Sequence, residues 1–181
     1  MFADKIETSD LILRKANKKD TLKIYENYWS DKESAKYMLW KPTESLAEAN
    51  ERMEKTIEFQ KDKPCYIVIE KKSNEAIGMI GFIEIEPKVF DDCGIGFGTK
   101  FTHKGYGTQI LMAMLTYLFE KCNAKIVYCG AMEPNTPSVK LQEKCGFTFF
   151  DKVEKVRSWD NFKYTNLLSK ITRENFFKHN K

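Results

Sequence analysis

The stretch DCGIGFGTKFTHKGYGTQILMAMLTYLFEKC, residues 92–122, decides how the rest of the chain is read. It opens as an apolar, glycine-laced run from Cys93 to Gly98. A short basic bend follows, Lys100 to Gly107. From Thr108 to Cys122 the apolar residues fall at Ile110, Leu111, Met114, Leu115, Leu118 and Phe119. That i, i+1, i+4, i+5 spacing makes one stripe along a helix and gives poor strand alternation. The unit is therefore strand, bend, helix. A helix start leaves its first N–H groups without intrahelical partners and carries the positive end of the helix dipole. An anion such as a diphosphate can take those groups if no side chain blocks it, and Gly105 and Gly107 clear the approach. Lys100, His103 and Lys104 add positive charge nearby. On spacing alone two readings stand: a phosphate cradle for a nucleotide-bearing cofactor, or two glycines that only start a helix after a turn. Two better-known glycine motifs fail. A P-loop needs lysine and a hydroxyl residue straight after its last glycine, and Gly107 is followed by Thr108 and Gln109. A dinucleotide fingerprint needs a third glycine where Thr99 stands.

A length of 181 residues fits one domain with a sizeable core. The net charge of +4 is spread along the chain, with no dense basic block, so no nucleic-acid partner is expected. Five cysteines, an odd count without a C-x-x-C pair, point to reduced thiols and a cytoplasmic protein. His103 and His179 give no metal-ligand spacing, so no metal is expected. No apolar run approaches the ~20 residues that span a bilayer, so no membrane partner is expected.

Elsewhere, Ile6 to Arg14 alternates as a first strand. Residues Asn17 to Asp20 can cap a helix running to about Ser30, and Asp31 to Met38 reads as a second short helical turn. Ser45 and Glu48 make a capping-box signature for a helix carrying Leu46, Ala49, Met53 and Ile57 on one face. Trp29, Tyr37 and Trp40 cluster between these helices. Trp29 is read as core, and Trp40 stays open between core and an acceptor pocket. Cys65–Glu70 and Ala76–Ile85 form a hairpin in which Gly78 and Gly81 suggest a bulge or a close approach. Glu84 and Glu86 alternate with Ile83 and Ile85 and share a face, either solvated or catalytic. Pro87 to Asp92 reads as a loop. Ala124–Cys129 is the strand after the central helix, and strand–helix–strand order implies a parallel crossover. Thr136 and Pro137 start a short helix, Ser138 to Lys144, which Gly146 closes with Phe147 packed back on Leu141. Phe147–Val156 and Phe162–Ser169 make a last hairpin, and the polar tail from Arg173 frays.

Taken together, the pattern resembles the GNAT superfamily of acetyl-CoA-dependent N-acetyltransferases, in the branch similar to the ribosomal-protein alpha-amine acetylases. Glu7 to Arg14 is similar to that branch's opening. Gly96-Phe97, Lys104 to Thr108, Asn135-x-x-Ser138 and Leu141-x-x-x-Cys145-Gly146-Phe147 follow in the family's order. The resemblance implies a mixed α/β fold. Its sheet of about seven strands is mostly antiparallel, with helices on both faces and a central β-α-β parallel crossover. Two parallel strands, Cys93–Phe101 and Ala124–Cys129, would part into a V-shaped opening that seats the pantetheine arm. Phe97, Gly98 and Thr99 would hold that arm through strand N–H groups. Lys104, Gly105, Tyr106, Gly107 and Thr108 would hold the diphosphate, and Asn135 the amide arm. Asp10 stands where that branch's opening usually has arginine, and two further departures matter: Thr102 where the bend usually begins with arginine or glutamine, and Gln142 where many members carry a tyrosine acid. Ser138 is implied as the group that protonates the departing thiolate.

The chemistry needs a neutral amine. An α-amine with a pKa of about 8 is partly neutral at pH 7, whereas a lysine at about 10.4 is rarely so. A carboxylate acting through water can take the proton. Glu84 is the first candidate, with Glu86 and Asp92 behind it. The expected activity is acetyl transfer to a primary amine of a protein N-terminus or a small molecule. The alternative is a GNAT-fold module that binds CoA without turnover. Trp40, Glu86 and Trp159 are the expected acceptor contacts, from variable segments at Trp29–Pro42 and Arg157–Asn161. A monomer and a homodimer both fit.

Overall fold

In the computed structural model, which describes residues 2–179, eight strands form one sheet. They are β1 (Lys5–Glu7), β2 (Leu11–Arg14), β3 (Cys65–Glu70), β4 (Glu75–Glu86), β5 (Val89–Phe97), β6 (Ile126–Met132), β7 (Thr148–Val156) and β8 (Lys163–Thr172). Their spatial order is β1-β2-β3-β4-β5-β6-β8-β7, and all neighbours are antiparallel except β5 and β6. The helices are α1 (Thr21–Ile24), α2 (Lys32–Ala35), α3 (Leu46–Gln60), α4 (Tyr106–Glu120), α5 (Thr136–Lys144) and α6 (Arg173–His179).

Helices cover both faces. The apolar stripe of α4 buries all six of its expected residues against one face, with Leu13, Val68, Ile77, Phe82, Phe90 and Val127 beneath. Each large side chain so buried is worth about 1.5–3 kcal/mol. On the other face Ile24, Tyr28, Trp29, Ala49 and Met53 pack over Ile67, Ile69 and Ala76. Trp29 is fully buried, as its core reading requires. Gly146 (φ +89°) closes α5: its own N–H reaches Glu143 O and the Phe147 N–H reaches Gln142 O. This 5→2 and 6→1 pair ends the helix and turns Phe147 into the core.

Four expectations are corrected. The first strand is two short strands paired as a hairpin, so the sheet has eight strands rather than seven. Its turn at Thr8–Asp10 is held by Gln109 of α4, whose Oε1 accepts from the Thr8 and Ser9 hydroxyls and from the Asp10 N–H. The helix expected from Asn17 to Ser30 is a 3-10 turn (Lys18–Asp20), α1 and a π-helical stretch (Tyr25–Trp29) in succession. Asn17 and Asp20 do form a reciprocal capping box. The loop from Pro87 shrinks to a tight turn with Lys88 at φ +66°, and β5 starts at Val89 because Phe90 is buried. The tail does not fray through residue 179: Phe176 of α6 is buried and stacks on Phe119 with ring centroids 4.8 Å apart. Residues 180 and 181 of that tail lie outside the described residues.

All five cysteines carry free thiols. No helix among the described residues is long and apolar enough to cross a membrane.

If α6 is part of the core, Phe176→Ala costs about 3–5 kcal/mol, the usual range for emptying a buried aromatic site. Urea unfolding at constant m-value measures it. A loss under about 1 kcal/mol would place α6 outside the cooperative core.

Candidate active site

The central feature is a fork between β5 and β6. The two strands pair in parallel only at Val89–Ile126, Phe90–Val127 and Asp91–Tyr128. Beyond that they part, and Gly130 is where the ladder is interrupted. Its N–H donates not to the main chain of β5 but to a β5 side chain, Asp92 Oδ2, at 2.7 Å. Its carbonyl accepts not from β5 but from Gln142 Nε2 of α5 at 3.2 Å. Two side chains thus stand in for the strand. Without them a peptide group parted from its ladder would cost about 1–3 kcal/mol for each orphaned donor or acceptor.

The β5 side of the gap offers main-chain groups. The Gly98 N–H bonds back to Ile77 O, and Gly96 pairs with Met79 on β4. Alternation along an antiparallel ladder therefore turns the main-chain groups of Ile95 and Phe97 to the opposite edge, into the gap. The Phe97 carbonyl is taken by the Ser34 hydroxyl at 3.0 Å. That leaves the two N–H groups and the Ile95 carbonyl facing the opening. At its outer end, α4 starts at Gly105 in the left-handed region (φ +76°), with no side chain capping the helix. A Cβ at Gly105 would meet nothing within 4 Å, so the approach to the first N–H groups of α4 is open.

Of the expected site residues, Phe97 lies on the β5 side of the gap, Gly105, Tyr106, Gly107 and Thr108 form the start of α4, and Asn135 and Ser138 lie at the start of α5. Two glycines answer to packing instead. A Cβ on Gly98 would lie 1.6 Å from Asn27 O, and one on Gly107 would lie 3.1 Å from Leu141 Cδ2. Asn135 caps α5 by accepting from the Ser138 N–H. The Ser138 hydroxyl oxygen accepts from Gln142 Nε2 at 3.4 Å. Thr102 closes its own turn, donating to Thr99 O.

Several expected roles are not supported by where the residues lie. The Thr99 N–H and hydroxyl both donate to Asp31 Oδ2, at 2.8 and 2.7 Å, so neither faces the gap. Burial alone would raise the Asp31 carboxyl, but donors from Thr99 and Ser34 hold it at about 2. Lys104 and the Tyr106 hydroxyl both bond Glu70 Oε1 rather than pointing at a phosphate, which leaves Tyr106 its main-chain N–H for that task. Glu84 and Glu86 lie at the β4–β5 turn, at the paired end of β5. Glu84 is exposed and its carboxylate accepts from the Lys88 N–H. Its charge acts on Cys122, just past the far end of α4. A register shift between Glu84 and Glu86 breaks the alternation the sequence showed.

Two carboxylates do sit at the fork. Asp92 pairs with Phe82 and shares the α4 face, where burial pushes its carboxyl up to about 6. Asp91, the next residue back, points to the opposite face. It is half-buried, and burial raises its carboxyl while the Lys155 charge pulls it back. That face carries Tyr28 and Met38, which crowd Gly96. The two variable segments meet on Arg157, which is 8% exposed. Its Nη1 donates to Lys36 O and Met38 O, and its guanidinium grips Asp160 at 3.0 and 2.7 Å. Trp40 lies edge-on to Tyr28 under the Arg52 guanidinium, and Trp159 lies under Arg157. Trp159 also walls an open groove with Tyr25, Ser30, Lys41, Pro42 and Glu44, which Trp40 does not line. Asp91 and Ile95 were not singled out from sequence, Gln142 was read only as a departure from the family, and Arg157 was named only as the start of a variable segment. Only Arg157, three residues before Asp160, carried a local signal.

Asp92 sets a pH test. Its folded pKa lies above the ordinary carboxylate value. Its contribution is therefore full below about pH 4 and lost as pH rises through about 6. Asp92→Asn keeps an oxygen for the Gly130 N–H and removes the buried charge. The melting temperature of this variant relative to wild type rises between pH 4 and pH 7.5. A difference that shrinks over that range would contradict the assignment.

Residues 10–148 match the family model described as the acetyltransferase (GNAT) domain. The uncharacterized N-acetyltransferase p20 of Bacillus licheniformis is 28% identical over 145 residues, covering 77% of this chain and 80% of its own length. A GNAT-family acetyltransferase structure from Bacillus anthracis superposes with a TM-score of 0.81 at 23% identity, covering 94% of this chain and 99% of that one. The spermidine N-acetyltransferase of Vibrio cholerae, solved with CoA and spermine, gives 0.76 at 21%, covering 94% and 99%. The matched residues hold β5, the bend, α4, β6 and the parted strands between them, and the chain belongs to the GNAT family of acetyl-CoA-dependent acetyltransferases.

Proposed function

We propose that this chain acetylates the primary amine of a small molecule or a protein N-terminus, with Asp91 as the base. The observation that carries the reading is the fork: main-chain groups of Ile95 and Phe97 face an opening held apart at Gly130, beneath the bare start of α4. Acetyl-CoA supplies the acetyl group as a thioester, which an amine attacks directly. The Phe97 N–H orients the pantetheine arm, and the first N–H groups of α4 bind the diphosphate. The Ile95 N–H is the donor for negative charge developing on the acetyl oxygen.

Asp91 is the last β5 residue still paired to β6, on the face where the two acceptor segments meet. A carboxyl raised by burial is closer to neutral pH and so better matched to taking a proton from an amine. Ser138 receives a hydrogen bond from Gln142 at its oxygen, so its own proton is free for the departing thiolate. Gln142, which replaces the family's usual tyrosine, has a different task as the brace on Gly130. The alternative, a module that binds CoA without turnover, thereby loses the support it drew from Gln142. Trp40 and Trp159 belong to the acceptor segments, and the spermine-bound neighbour supports the small-amine side of the reading. The ribosomal-protein branch supports the N-terminal side through the similarity of Glu7 to Arg14.

A thiol-release assay over peptide N-termini and small amines identifies the acceptor class. Asp91→Asn lowers kcat/KM for that acceptor by about 10²–10⁴-fold and removes the acidic limb of the pH profile. Acetyl-CoA binding, read by calorimetry, stays within about twofold. Glu84→Gln leaves all three unchanged. No CoA release with any amine, or full activity in Asp91→Asn, would overturn the reading.

A further inference from the structure

We propose that β7 is a homodimer interface, through which two copies join their sheets edge to edge about a two-fold axis at Val153. The strand lies at the outer end of the sheet, paired only to β8. Every residue from Thr148 to Val156 is exposed except Val153, which is half-buried. Phe149 is 55% exposed and Val156 57%. An uncovered strand edge presents a row of unpaired main-chain donors and acceptors that a second strand can take.

The charges say which strand. Around Val153 the sequence reads Asp151, Lys152, Val153, Glu154, Lys155. Reversed, as in an antiparallel copy, each acid meets a base. Asp151 faces Lys155 of the second copy, Lys152 faces Glu154, and Val153 faces its own equivalent. Residues directly opposite share a face, so each face of the joined sheet gains two ion pairs, and on one of them they flank the Val153 contact. Phe150 meets Val156 at the ends. The register is specified as well. A slip to the next two-fold register sets Lys152 against its own equivalent in one direction and Glu154 against its own in the other. A parallel copy sets every charge against its like. Edge strands that avoid self-pairing carry charges that repel their own copy; this pattern is complementary to itself.

Among the described residues the four side chains of Asp151, Lys152, Glu154 and Lys155 carry no ion pair of their own, although twelve such pairs form elsewhere. The Asp151 carboxylate does accept from the Lys152 N–H at 2.8 Å, a bond that the second strand would replace. The Glu154 carboxylate accepts from the Thr165 hydroxyl on β8. The one irregularity of the strand falls between Phe149 and Asp151, and the pairing with β8 is regular from Asp151 to Val156. The segment that carries the charges is therefore straight enough to receive a partner.

Sedimentation velocity on wild type and two charge variants tests the interface. At on the order of 100 µM chain, wild type sediments as a dimer. The all-basic edge, Asp151→Lys with Glu154→Lys, and the all-acidic edge, Lys152→Glu with Lys155→Glu, each weaken association by about tenfold or more. A one-to-one mixture of the two restores the dimer, which a folding defect could not do. Val153→Cys, which leaves every charge in place, gives a disulfide-linked dimer under mild oxidation that wild type does not give. A monomeric wild type, variants that stay dimeric, or a mixture that stays monomeric with no Val153→Cys cross-link would overturn the proposal.

Discussion

The whole site depends on what happens to one peptide group. Gly130 lies where β6 would continue to pair with β5, and its N–H and carbonyl go instead to Asp92 and Gln142. A parallel pair separates only if the groups it abandons find other partners, because a buried peptide without hydrogen bonds costs too much. Asp92 meets that need from β5 itself, and Gln142 meets it from α5. The opening is therefore held by hydrogen bonds that the chain makes to itself. The buried carboxylate carries a cost, which is why its pKa is lifted.

The rest of the architecture serves that opening. The stripe of α4 pins the helix to the sheet, so its bare N-terminus stays above the gap. Gly107 lets α4 settle against Leu141 of α5, the helix that also supplies Gln142 and Ser138. On the other face Arg157 ties the β7–β8 turn to the main chain at Lys36 and Met38. Two segments far apart in sequence thereby become one wall. Asp31 and Ser34 fasten the start of α2 to the end of β5 through Thr99 and Phe97. The acceptor side and the donor side are thus held in one frame.

Much of this was legible in the sequence, because it rests on local rules. The α4 stripe, the caps at Asn17 and Ser45, the β3–β4 hairpin and the end of α5 at Gly146 are set by residues within a turn or two of each other. What was missed depends on distance or on position along a strand. Alternation put Glu84 on a face but could not say that its end of β4 points away from the fork. Asp92 was noticed as a carboxylate, yet its partner is 38 residues on. Gln142 looked like a lost tyrosine, since nothing near it in sequence names Gly130. The tail looked polar because the two phenylalanines that dock it, Phe176 and Phe177, are hidden among charges.

Hydrogen exchange at single amides, read by NMR with and without acetyl-CoA, tests the central claim most directly. In the free protein the Ile95 and Phe97 amides exchange quickly while Gly96 and Gly98, bonded to β4, stay protected. Acetyl-CoA slows Ile95 and Phe97 to the level of their neighbours. Slow exchange at both amides before any ligand is added would mean the strands are zipped, and no slowing on addition would mean the gap does not take the thioester arm; either result contradicts the account.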